Sequence, residues 1–352
     1  MGLPFLNGAT TKRHDQMLAV DLGGRMTKAV HLQRQGNGYG LCGYALLDAP
    51  IFEKTLSAEL LAEHLRLVTK AVPTRNRLVT LTMNPNDTLL RPVEVPRMPM
   101  DETRMVLKNN SRVYLQQDLS NHVFDCHPLP HRGETKAGPG GGKQRMLVTS
   151  AKSEAVEEFT QGARSAGLVA ECIVPSIIGP VNAFEMAMPE IFSKECVALV
   201  DIGFKSSTIC LLQEGELILT RIVALGGDRL TQGISESLNV SYAEAEGIKL
   251  GMAQEVQTTL EAIAAPLGRE LRASIDFFEH QQDRVIRQVY VSGASTRSVI
   301  IFQVLQTELM VECKVWNPTT PLRMELQAEQ AAEIEQVAPQ LAVAIGAALV
   351  AL

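Results

Sequence analysis

VALVDIGFKSST, residues 197–208, sets four apolar residues, an aspartate, a glycine and a small polar run in one line. The apolar run Val197 to Val200 stopping at Asp201 and Gly203 reads as a buried strand that ends in a tight turn. Thr208 to Leu212 resumes as a strand, and Glu214-Gly215 turns the chain into a third, Leu217 to Val223. The same layout occurs near the start of the chain. Met17 to Val20 ends at Asp21 and Gly23, alternation runs from Met26 to Leu32, and a Gly-rich turn at 36–40 precedes another strand. Two β-meanders, each with an acid closing its first strand, predict duplicated halves, and their wide separation excludes a short-period solenoid.

An aspartate at a strand end, followed by a glycine turn, can direct its carboxylate at a hydrated Mg²⁺ while neighbouring backbone N–H groups face phosphate oxygens. Either hairpin alone is an ordinary tight turn. Further elements in order point to one nucleotide gripped between two lobes. Gly226 and Gly227 follow the second meander, where glycine permits close backbone approach at a helix start; a plain tight turn is the alternative. Glu246 and Lys249 are three residues apart on one helical face, placed to hydrogen-bond a ribose or base edge or, alternatively, to form a solvated ion pair. Ser292, Gly293 and Ala294 end a strand at a small-residue turn suited to a flat base.

The 352 residues exceed what one ordinary core organises, and 45% hydrophobic with 20% charged residues is soluble globular composition. A net charge of −6 and no basic stripe disfavour nucleic acid. Six cysteines without a C-x-x-C pair read as free thiols of a reducing compartment. The start of the chain lacks the pattern of a secretory signal, and the apolar stretch Leu341 to Leu352 is too short to span a bilayer, so it is expected to be a buried helix.

Between the meanders, residues 59–71 have helical spacing, 77–82 and 89–95 read as strands, 101–115 as a helix and 122–129 as a strand. Leu60, Leu61, Leu65 and Val68 form the core stripe of the first helix. Residues 133–143, with GPGGGK, read as a mobile loop; the spacing is not that of a phosphate-binding P-loop. Cys126, His127, His122 and His131 resemble a metal cluster superficially, but strand alternation sends Cys126 and His127 to opposite faces. After the second meander, helices are expected at 227–238, 242–252, 256–282 and 298–309, with a strand at 288–292, giving an α/β architecture.

MLAVDLGGRMTK at 17–28, VALVDIGFKSST, VALGGDRLTQGI with SYAEAEGIKL, VYVSGAS and the closing APQLAVAIGAAL together resemble the actin/FtsA superfamily. Within it, LRPVEVPRMPMDETRM at 90–105 is similar to the segment that opens the relocated subdomain of PilM-like type IV pilus assembly proteins. The resemblance implies a bilobed actin-like ATPase fold of two RNase H-like halves with that subdomain added. Its expected limits are a flexible terminus at 1–16; a first lobe at 17–88, 168–194 and 326–352; the relocated subdomain at 89–167; a second-lobe core at 195–227 and 284–325; and a small subdomain at 228–283.

The resemblance also implies ATP with Mg²⁺ in the cleft. Asp21, Gly23, Gly24 and Lys28 would form one phosphate loop and Asp201, Gly203, Ser206, Ser207 and Thr208 the other, with Asp21 and Asp201 as metal-side acids. Gly226, Gly227, Glu246, Lys249, Ser292, Gly293 and Ala294 would hold the nucleoside. Gly24, Arg25 and Met26 stand where the family usually carries Ser or Thr, Phe204 and Lys205 are bulky, and Ala294 replaces a second glycine. These departures favour a scaffold over a turnover enzyme; the alternative is an active ATPase or phosphotransferase with Asp201 as its catalytic acid. The implied partner is a PilN-like inner-membrane protein bound through its N-terminal cytoplasmic peptide, with other pilus platform proteins, at the cytoplasmic side of the inner membrane and without a direct membrane span. Head-to-tail self-association is compatible with the fold, and a cytoplasmic part of a type II secretion platform is a third reading.

Overall fold

The computed structural model describes residues 13–52, 55–129 and 142–352. Thus most of the flexible terminus and of the 133–143 loop expected above, and His131, lie outside the described residues.

The first meander forms as read: β1 (Gln16–Leu22), β2 (Met26–Gln35) and β3 (Gly38–Asp48) are antiparallel neighbours. Helix α1 (Ala58–Ala71) starts at Ser57, whose hydroxyl accepts the Leu60 N–H, and buries Leu61, Leu65 and Val68. Strand β4 (Leu78–Met83) then lies parallel to β1. The chain leaves this sheet through β5 (Thr88–Pro96), α2 (Met100–Asn109), α3 (Ser111–Tyr114), β6 (His122–Pro128) and β7 (Lys143–Lys152). These strands make a separate sheet in the order β5-β7-β6, with α2 over one face and Val95, Leu107, Met146 and Val148 buried between. The single helix expected over 101–115 is interrupted at Asn110, whose φ of −125° is not helical.

Helix α4 (Ser153–Ser165) and strand β8 (Val169–Pro175) return to the first sheet, β8 parallel to β4. Phe159 and Ala163 of α4 join Leu61, Leu65 and Val68 of α1 in one apolar cluster. Residues 153–167, expected in the added subdomain, therefore pack in the first lobe, because their apolar stripe matches that of α1. Helices α5 (Gly179–Ala187) and α6 (Pro189–Lys194) lead to the second meander, β9 (Cys196–Ile202), β10 (Ser207–Gln213) and β11 (Glu216–Val223). After α7 (Gly227–Leu238), α8 (Tyr242–Gly251) and α9 (Gln257–Gln282) come β12 (Gln288–Ser292), α10 (Val299–Leu309) and β13 (Glu312–Val315). Strand β12 is parallel to both β9 and β13. The short β14 (Arg323–Met324) adds to β3 in the first sheet, two residues before the expected return point, and α11 (Ala328–Val337) and α12 (Ala342–Ala348) finish the chain.

The two large sheets therefore share one plan. The first reads β3-β2-β1-β4-β8 beside β14, the second β11-β10-β9-β12-β13: three antiparallel strands, then two parallel ones. In each, the strand bearing the aspartate lies where antiparallel pairing gives way to parallel pairing. Helices α5 and α12 sit between the sheets in a core that also takes residues of both, including Met17, Ala19, Val197 and Leu199. They approach so closely that a Cβ on Gly346 would lie 1.8 Å from the Gly179 carbonyl oxygen. Helix α12 is wholly buried, as the apolar stretch predicts.

Candidate functional site

Asp21 ends β1 opposite Lys28 of β2 and beside Thr82 of β4. Its Oδ1 accepts from Thr82 Oγ1 at 2.9 Å and its Oδ2 from Lys28 Nζ at 3.0 Å. Asp201 holds the same place in the second half, opposite Thr208 of β10 and beside Ser292 of β12, and accepts the Ser292 hydroxyl at 2.8 Å. The cross-strand register thus delivers both acids, each with a hydroxyl donor from the neighbouring parallel strand, to the floor of one cleft of about 340 Å³. Burial opposes the charge on Lys28, but the carboxylates of Asp21 and Asp201 more than offset it, and its pKa stands above the ordinary lysine value. Burial raises the proton affinity of Asp201, with Asp21 adding to it, and the Ser292 bond and the Lys28 charge offset only part.

Gly23 and Gly24 of the first hairpin line the cleft with Gly203, Ser206 and Thr208 of the second, as do Gly227, Glu246, Lys249, Gly293 and Ala294. Glycine is required at 203, where a Cβ would fall 2.7 Å from the Ser206 carbonyl oxygen, and at 293, where φ is +97°. Three expected residues do not line it. Ser207 is fully buried, its hydroxyl donating to the Leu225 carbonyl at 2.7 Å, because strand alternation points it away from its neighbours 206 and 208. Gly226 packs under the second hairpin, with no room for a Cβ beside the Phe204 carbonyl oxygen at 2.4 Å. The Gly227 and Asp228 N–H groups cap that hairpin by donating to the carbonyls of Gly203 and Phe204. Ser292 is buried behind Asp201 and orients it.

Glu246 and Lys249 are not the solvated pair that their spacing alone allows. Lys249 is buried; its Nζ donates to Thr231 Oγ1 at 2.6 Å, Glu246 Oε2 at 2.7 Å and the Gly227 carbonyl at 3.3 Å. Burial opposes the charge of Glu246, yet the bonds from Lys249 and Thr231, with the Lys249 and Arg25 charges, hold its carboxyl below the usual range.

Sequence reasoning missed Thr82, whose place beside Asp21 was open to inference from the duplication with Ser292. It also missed Asn84, Ser176, Ser295, Ser298 and Gln340, polar residues of the lining with no spacing signal of their own. Arg25, which has no spacing signal either, forms an ion pair with Glu246 at 2.9 Å. Among the described residues no group of three or more His, Cys, Asp and Glu side chains is placed to hold a metal. Cys126 is instead buried near Met100, and burial, with Asp125 adding, pushes its thiol up to about 11. No helix among the described residues is long and apolar enough to cross a membrane.

Two duplicated sheets, each presenting a strand-end aspartate to a shared cleft, define a protein of the actin-like ATPase fold. Ethanolamine utilization protein EutJ from Carboxydothermus hydrogenoformans superposes with a TM-score of 0.58 at 13% identity, over 97% of this chain and 91% of EutJ. MreB5 of Spiroplasma citri bound to ADP gives 0.54 at 9% identity, over 96% and 95%. The chain belongs to the family of the type IV pilus assembly protein PilM, whose family model matches residues 19–352. A chain of the PilM-PilN type IV pilus biogenesis complex superposes with a TM-score of 0.84 at 23% identity, over 97% of this chain and 100% of that one. Cell division protein FtsA of Bacillus subtilis (strain 168) is 49% identical over 53 residues, a match spanning 15% of this chain and 12% of FtsA.

Proposed function

We propose that this actin-like type IV pilus assembly protein is a nucleotide-responsive adaptor. In this reading it holds a short N-terminal cytoplasmic peptide of a PilN-like inner-membrane partner and is peripheral to that membrane through it. The groove lies between the first lobe and the three-stranded sheet, where an extended peptide gains main-chain hydrogen bonds and side-chain pockets. ATP with Mg²⁺ in the cleft sets the lobe arrangement that presents the groove.

The residues present fit such a ligand. Asp21 and Asp201 would flank hydrated Mg²⁺, whose charge would offset that of the phosphates, and Lys28 with the two glycine hairpins would face phosphate oxygens. Glu246 and Lys249 would stand beside the sugar.

The observation that carries the coupling is the position of the three-stranded sheet. Asn84 and Pro85, which line the cleft, are separated from β5 only by Asn86 and Asp87. The same sheet is tied to β11 of the second lobe by Thr220 Oγ1 donating to the Leu90 carbonyl at 3.1 Å and by the ion pair of Arg145 with buried Glu216. A change in lobe angle therefore reaches the sheet from both sides. Calorimetric titration of the partner's N-terminal peptide, with and without ATP and Mg²⁺, is the test. Micromolar binding that changes at least about threefold with nucleotide is expected. No binding at millimolar peptide contradicts docking, and equal affinities contradict coupling.

Turnover is a second reading, favoured by the raised proton affinity of Asp201 at the cleft floor. It requires steady-state phosphate release that Asp201→Ala abolishes; release that persists unchanged in the variant ends it.

A further inference from the structure

Arg25 crosses the mouth of the cleft. Its Nη1 lies 2.9 Å from Glu246 Oε1, and its guanidinium carbon stands 5.9 Å from the centroid of the Phe204 ring. Next to it, Gly24 packs against the same ring, with 3.3 Å between the place of a Cβ at 24 and Phe204 Cδ1. Arg25 belongs to the first hairpin, Phe204 to the second and Glu246 to α8, so all three contacts run from the first lobe to the second.

The chemistry suits a bridge that can open. Glu246 Oε2 is occupied by Lys249 and Thr231 within its own lobe, which leaves Oε1 for a group across the cleft. The Arg25 side chain is 43% exposed and that of Glu246 only 16%, so the guanidinium is the mobile partner and the carboxylate the fixed one. Arginine suits both contacts at once: its planar fork meets a carboxylate edge-on while its face lies toward an aromatic ring. The backbone of the hairpin is tethered independently, the Ala49 N–H donating to the Arg25 carbonyl at 2.8 Å, so the side chain can swing while the loop stays in place.

We propose that Arg25 is a strap over the cleft: its bridge to Glu246 and its contact with Phe204 join the two lobes, and it swings aside for nucleotide to enter or leave. The bridge is independent of what the cleft holds; the gating of nucleotide rests on the reading proposed above.

Hydrogen exchange on the full chain without nucleotide tests the bridge, comparing wild type, Arg25→Ala, Arg25→Lys, Glu246→Gln and the Arg25→Ala/Glu246→Gln pair. Arg25→Ala is expected to speed exchange about threefold to tenfold, the scale of a partly exposed ion pair with an aromatic contact, in peptides covering 203–206 and 242–248. Arg25→Lys falls between, and the double variant shows less than the product of the single effects. Faster exchange confined to 22–28, or strictly multiplicative effects, overturns the bridge. Release of a fluorescent ATP analogue tests the gate: Arg25→Ala is expected to speed it by a similar factor, and an unchanged release rate overturns the gate. Absence of analogue binding to wild type, with the exchange coupling present, counts against the nucleotide reading and against the gate but upholds the bridge.

Discussion

Thr82 and Ser292 occupy the same position in the two duplicated sheets, and each donates its hydroxyl to the aspartate on the neighbouring parallel strand, Thr82 to Asp21 at 2.9 Å and Ser292 to Asp201 at 2.8 Å. The acids that face the cleft are thus held from behind by one device used twice. The halves differ opposite the aspartate: Lys28 in the first, Thr208 in the second.

That difference predicts unequal costs. Ser292→Ala takes from half-buried Asp201 its hydroxyl donor and is expected to destabilise by roughly 1.5–3 kcal/mol, the range for a hydrogen bond to a charged group. Thr82→Ala should cost less, since Asp21 keeps Lys28 on its other oxygen. Urea denaturation of both variants measures the order; a larger loss for Thr82→Ala would contradict it.

Asp201→Asn should stabilise the nucleotide-free protein at neutral pH. Burial raises the Asp201 pKa above its usual 3.8, so its contribution favours folding fully below that value and is lost as pH rises through the raised pKa. Asparagine, which does not titrate, escapes that loss, for a higher thermal midpoint at pH 7 by roughly 1–3 °C. Scans across the acidic to neutral range should show a weaker decline for the variant as pH rises. A lower midpoint for Asp201→Asn at pH 7 would count against this account of Asp201.

Gly346→Ala should be among the costliest single-methyl additions in the chain. The new Cβ would sit 1.8 Å from the Gly179 carbonyl oxygen, backbone against backbone where α12 crosses α5. Forcing those helices apart disturbs the core shared by both sheets, and a loss of about 3 kcal/mol in urea denaturation is expected. A loss within the ordinary surface range of about 0.5 kcal/mol would show that the helices separate freely.

The meanders, their acids and most of the cleft were legible because alternation and glycine turns are local signals. Strand β7 was not. Met146 to Ala151 are buried on both faces, since the strand is central in its sheet and covered on each side, and no alternation marks it. The same burial hides α5, whose residues from Gly179 to Phe184 are all buried. Ser207 was misplaced through reading a polar run as a set of donors when strand geometry presents only alternate residues to the cleft. Arg25 carries no pattern at all: its partner Glu246 is brought to it only by the meeting of the lobes.

Calorimetric titration of the purified protein with ATP and Mg²⁺, with Asp21→Ala as control, tests most directly the claim that the paired hairpins form a live nucleotide site. The account predicts micromolar binding by wild type and at least a tenfold loss in the variant, the equivalent of about 1.4 kcal/mol. No heat of binding at millimolar ATP, or equal binding by Asp21→Ala, would contradict it.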